Sequence, residues 1–170
     1  MTQLTPHFTL EELTRSDTAA RLGIDNDAPL EVTKAIKRTA LGLEMVRARL
    51  NHNAISISSG YRCEALEKVL CEKAYKAWCA KHGKPVTTQS WAEYFARKSH
   101  SKGEAVDFTC PTAGTPEQLV RILAGSAVDF DQLIAEYTDN PSGGWVHISF
   151  SNNPRRQVLR IDNTGTRSFA

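Results

Sequence analysis

Lys98-Ser99-His100-Ser101-Lys102-Gly103-Glu104-Ala105-Val106-Asp107-Phe108, read with Trp145-Val146-His147-Ile148-Ser149, decides how this chain folds. Strand side chains alternate between two faces, so Val106 and Phe108 share one face while Ala105 and Asp107 share the other. In the second segment Val146, Ile148 and Phe150 form an apolar face, leaving Trp145, His147 and Ser149 opposite. His100 precedes a turn at residues 101–103, where Gly103 lets the backbone swing back over the strand. With both apolar faces in one core, His100, Asp107 and His147 converge on the open side, and Ala105 leaves room for an ion. Two imidazoles and one carboxylate, with a fourth position free, are the donor set of a catalytic rather than a structural zinc site.

The same residues carry a resemblance. His100-x-x-Gly103-x-Ala105-x-Asp107 followed by Trp145-Val146-His147 resembles the zinc D-alanyl-D-alanine carboxypeptidase and L-alanyl-D-glutamate endopeptidase family, which cleaves peptidoglycan peptides. Ser58-Ser59-Gly60-Tyr61-Arg62 is similar to that family's Ser-Gly-Tyr-Arg signature, and Pro6-His7-Phe8-Thr9-Leu10-Glu11-Glu12-Leu13 is similar to the opening of phage-encoded members. The resemblance implies Zn2+ as cofactor, peptidoglycan peptides as partner, and a role for Arg62 on a substrate carboxylate or a developing oxyanion.

Composition narrows the alternatives. At 170 residues the chain is read as one domain with a substantial core. A formal net charge of +2 and no basic face interleaved with aromatics argue against a nucleic-acid partner. No apolar run reaches the length of a membrane span, and the first residues lack the basic-then-apolar pattern of a secretion signal. The expectation is a monomer made in a host cytoplasm without a signal peptide. It would reach the wall through a holin lesion or as part of a virion.

Four cysteines raise the question of a second metal site, with Cys63, Cys71 and Cys79 near His82. Eight-residue steps on a helix rotate by roughly 80° and climb about 12 Å, so one helix cannot gather these groups around one ion. The same distance excludes a Cys71–Cys79 disulfide within the helix. Cys71 and Cys79 are read as packing residues, and a Cys63–Cys110 bridge stays open.

Element by element, Thr9 and Glu12 suggest a capping box, with Phe8 and Leu13 as the hydrophobic staple of a first helix. A short helix over residues 17–22 stops at Gly23. After Pro29, the spacing of Val32, Ile36, Leu43, Val46 and Leu50 predicts a long amphipathic helix. A strand follows at residues 54–58, then a helix at 64–81 patterned by Leu66, Val69, Leu70, Ala74, Ala77 and Trp78, and a shorter one at 90–97. Residues 71–95 make the chain longer before His100 than in compact members of the family and are read as a helical insertion. Strands are expected at 104–109, 131–137, 145–151 and 157–161, with a helix opened by Thr115-Pro116-Glu117-Gln118 and a frayed tail at 163–170. Helices first and a mainly antiparallel sheet afterwards make an α+β fold. The zinc cleft should lie on one sheet face and the N-terminal helices on the other.

A peptidase also needs a general base. In several members of the family an acidic residue stands three positions before the last histidine; here that position is Gly144. Glu136 is the replacement. With Leu133, Ala135 and Tyr137 on the core face, Gln132, Ile134 and Glu136 take the other, and a hairpin brings Glu136 beside His147. The Asp131-Gln132-Leu133-Ile134-x-Glu136 run before Trp145 is also similar to the phage-type relatives. Tyr61 is read as a cleft wall binding substrate or as a core ring, and Trp145 as cleft lining or packing. A second departure is Lys98, where the family usually has serine two residues before the first zinc histidine. The function expected is a zinc-dependent peptidase of the wall, a phage endolysin or virion-associated lysin. The alternative is a non-catalytic, zinc-stabilised wall-binding or virion module.

Overall fold

The sheet organises everything else. In the computed structural model, which describes residues 1–169, six strands run β1 (Ser56–Ser59), β2 (Ala105–Thr109), β3 (Gln132–Glu136), β4 (Trp145–Ser149), β5 (Gln157–Asp162) and β6 (Gly165–Ser168). Their spatial order is β1-β2-β4-β3-β5-β6, antiparallel throughout except for the parallel β3–β5 pair. Alternation puts Val106, Phe108, Leu133, Ala135, Val146 and Ile148 on one face, all sealed from solvent in a single apolar cluster.

That face is covered by helices. α1 (Leu10–Thr14) starts at Thr9, whose side chain accepts the Glu12 N–H, and Phe8 and Leu13 are both buried. α2 (Asp17–Leu22), which adds no residue to that cluster, ends at Gly23 in the left-handed conformation. α3 (Leu30–Arg49) buries Ile36, Ala40, Leu43 and Val46 in the cluster. The helix Pro116–Ala124 adds Leu119, Val120 and Leu123 from behind a complete Thr115–Gln118 capping box. Burying a leucine or phenylalanine of this kind contributes roughly 1.5–3 kcal/mol each.

Between β1 and β2 stand α4 (Glu64–Lys81) and α5 (Thr88–Phe95). They close on a second, aromatic cluster of Tyr75, Cys79, Trp91 and Tyr94, with the Tyr75 and Trp91 rings edge-to-face at 5.1 Å. The inward stripe of α4 is Leu66, Glu67, Tyr75 and Cys79, so Leu66 of the expected stripe is buried whereas Val69 and Leu70 are about half exposed. All four cysteines are free thiols.

Two expectations are corrected. The segment after Asp162 is not frayed: β6 pairs with β5, and the Phe169 ring lies under the guanidinium groups of Arg121 and Arg160 at 5.1 and 5.5 Å. Every residue of β6 is exposed, so no apolar alternation announced it. Tyr137 is not on the core face, because β3 ends at Glu136 and Tyr137 takes a left-handed φ of 50°. Its ring lies instead 5.4 Å from that of Trp145.

Candidate metal centre

Register brings the first two groups together. Asp107 of β2 is the direct cross-strand partner of His147 of β4, while their neighbours Val106 and Ile148 pair in the core. His100 arrives from a single 3₁₀ turn, His100–Lys102, that Gly103 closes at φ 71° by donating its N–H to the His100 carbonyl. An added Cβ on Gly103 would stand 2.7 Å from Ile36 of α3, so the turn rests directly on the helix layer. The expected convergence is therefore present.

His147 Nδ1 lies 2.9 Å from Asp107 Oδ1 and 3.2 Å from His100 Nε2, and His100 Nε2 lies 3.2 Å from the same carboxylate oxygen. All three residues are buried. Zinc ligands at about 2.0–2.1 Å in tetrahedral array stand roughly 3.3 Å apart, so these donors need shift by only tenths of an ångström to hold the ion. The second ring nitrogen of His100 donates to the Gly60 carbonyl at 2.7 Å, which leaves Nε2 as the lone-pair nitrogen. Zn2+ fits this donor set.

The charges agree with that reading. Burial holds the His100 imidazole below its ordinary pKa, favouring the neutral form that binds metal. Burial alone would raise the Asp107 carboxyl, but the two adjacent imidazoles outweigh it and keep the group far below the usual carboxylate range. Its other oxygen, Oδ2, accepts a hydrogen bond from Arg62 Nη2 at 2.7 Å, and Arg62 Nε donates to Ser59 Oγ at 2.9 Å. Arg62 is thus engaged with a metal-ligand candidate as well as forming part of the cleft wall.

Glu136 and Trp145 are cross-strand partners, and the indole N–H donates to Glu136 Oε2 at 3.1 Å. Burial pushes the Glu136 carboxyl up, against the pull of His147 and this hydrogen bond. Gly144 leaves no room for an acidic side chain: its φ is +67°, and a Cβ there would stand 2.1 Å from the Glu136 carbonyl. Backbone geometry therefore moves any carboxylate off that position.

A cleft of about 540 Å³ opens beside these groups. Asp107, Arg62 and Trp145 form one wall, α1 and α2 another, and Leu70 of α4 reaches its rim. Tyr61 does not line this cleft; of its two readings, wall or core ring, the structure has the ring in the core. It is buried in the main cluster, where its N–H donates to the Leu13 carbonyl at 2.7 Å. The sequence reading missed Ser59 and the Gly60 carbonyl as supports of the centre, although both lie inside the segment already singled out. It also missed Glu67, a buried carboxylate behind Arg62.

An α+β domain that brings two histidines and one aspartate together on the open face of a mainly antiparallel sheet has the donor set of a metal site with an open position. Residues 6–71 match the family model described as Peptidase M15, in agreement with the family that the motifs resemble. That match ends before His100, so the ligand geometry is an observation independent of it. No curated protein matches the chain. Among the described residues no helix is long and apolar enough to cross a membrane.

Proposed function

We propose that this protein is a zinc-dependent peptidase that hydrolyses peptide bonds of peptidoglycan stem peptides or crosslinks, acting as a phage endolysin or virion-associated lysin. The observation that carries this reading is the meeting of His100 Nε2, Asp107 Oδ1 and His147 Nδ1 beside an open cleft. When bound there, zinc supplies Lewis acidity, acidifying water and polarising a carbonyl.

The protein's own groups do the rest. Glu136 sits on the same sheet face as the ligands, with a pKa raised toward the range useful in a general base. It takes the proton of the attacking water and returns it to the leaving amine. Trp145 holds its carboxylate in place through the indole N–H. Arg62, already oriented by Asp107 and Ser59, offers its remaining N–H edge to a substrate carboxylate or developing oxyanion. In this reading the protein reaches the wall by holin-mediated release or within a virion, and works as a monomer.

The test is digestion of purified sacculi with and without a chelator, with mass analysis of the released fragments. Zinc-restored release of peptide fragments supports the reading and identifies the bond. Intact sacculi with zinc-loaded protein overturn it.

A further inference from the structure

Behind the metal centre lies a chain of alternating charges. Glu67, on the inward face of α4, is only 1% exposed. Its Oε1 accepts the Cys71 Sγ–H at 2.9 Å and lies 3.7 Å from Lys98 Nζ. Its Oε2 lies 3.6 Å from Arg62 Nη1 and has no hydrogen-bond partner. Lys98 donates to the Tyr94 hydroxyl at 2.7 Å and sits over that ring at 4.1 Å. A buried carboxylate is tolerated only when cations and donors offset its lost hydration.

The consequence falls on Arg62. Its planar fork is hydrogen-bonded through Nε to Ser59 and through Nη2 to Asp107, and Nη1 is drawn toward the Glu67 carboxylate across 3.6 Å. Remove the last and the guanidinium plane can turn about the other two, loosening its grip on the outer oxygen of Asp107. Lys98, which departs from the family's serine, stands where Glu67 requires a second cation.

We propose that Glu67 is a positioning residue of the metal centre: it locks the Arg62 guanidinium, and through it the Asp107 carboxylate, in the ligand geometry, with Lys98 as its counter-cation. This rests on reading His100, Asp107 and His147 as the zinc site. The rival explanation is that Glu67 serves only to neutralise Lys98 inside the helical hairpin.

The doubly substituted chain, Glu67→Gln with Lys98→Met, removes one charge of each sign and separates the two. Zinc affinity is read by chelator competition on the full chain, alongside thermal unfolding of the metal-free protein and the visible spectrum of the cobalt(II) form. A folded double variant that binds zinc about tenfold or more weaker, with shifted cobalt bands, is the expected result. Wild-type affinity and an unchanged spectrum overturn the proposal. Should the double variant not fold, Glu67→Asp keeps a charge that the flexible Lys98 side chain can follow, while drawing it back from Arg62, whose fork is held by Ser59 and Asp107. Weakened zinc binding is expected there too, and unchanged binding overturns the proposal. Failure of the unaltered protein to take up zinc removes the metal reading itself and this inference with it.

Discussion

Asp107 and Arg62 share one hydrogen bond, 2.7 Å from Oδ2 to Nη2, and it divides the carboxylate between two tasks. Oδ1 faces the two imidazoles, and Oδ2 is held by a cation that also lines the cleft. Such partners of a ligand typically govern metal affinity by 10–100-fold (roughly). Arg62→Met is expected to weaken zinc binding by about that factor. It also strands Asp107 Oδ2, so the metal-free protein should lose about 3–5 kcal/mol in urea unfolding. Both effects are measured on the same preparation, and an unaltered zinc dissociation constant would contradict the role given to this contact.

Glu136→Gln keeps size and the indole contact while removing the proposed base. Hydrolysis of wall fragments should fall by about 10²–10⁴-fold with zinc content unchanged, as checked by metal analysis and fragment release. Loss of the metal together with activity would place Glu136 in the ligand set instead.

The Trp145 indole N–H favours the ionised form of Glu136, whose carboxyl burial has already pushed up. A base must be ionised to act, so activity rises with pH through this group. Trp145→Phe removes the stabilising donor, raises the Glu136 pKa further, and moves the acidic limb of the pH–rate profile to higher pH. A limb displaced to lower pH, or not displaced, would count against the assignment.

Stability of the metal-free protein should respond to acid in two stages. Burial holds His100 below its unfolded value, so the unfolded chain binds the proton first. Stability present above about pH 6.5 is therefore lost as pH falls from there. Asp107, held low by the imidazoles, adds a second loss below about pH 4. Thermal unfolding from pH 8 to pH 3, compared with a His100→Gln variant, should show the first stage flattened in the variant.

Placing an acid three residues before His147, where the family that the motifs resemble has one, should not help this chain. Gly144→Glu puts a side chain on a backbone at φ +67° and into contact with the Glu136 carbonyl, 2.1 Å from the new Cβ. A cost of about 1–3 kcal/mol in unfolding free energy and reduced hydrolysis are expected. Raised activity in this variant would show that Glu136 is not the base.

The metal trio was legible because strand alternation leaves little freedom: with Val106 and Ile148 inside, Asp107 and His147 must face outward together. The capped helices were legible for a similar local reason, each start being marked by its own side chain. Glu67 was not. On α4 the apolar residues Val69 and Leu70 turn outward, while the buried stripe runs from Leu66 through Glu67, Tyr75 and Cys79. A period search that scores acids as outside displaces the helix face whenever a carboxylate is buried for its charge partners. Strand β6 escaped for the opposite reason, since it buries nothing and depends on backbone pairing and the Asp162–Thr164 turn.

The helical hairpin of α4 and α5 has its own small aromatic cluster, apart from the main one. Amide hydrogens there should exchange through partial openings that leave the sheet intact. Because Arg62, Glu67 and Lys98 straddle the seam between the two, any loosening of the hairpin reaches the ligands as a slackening of one carboxylate. Mutational damage far out on the hairpin would then register first as metal leakage, well before the protein melts.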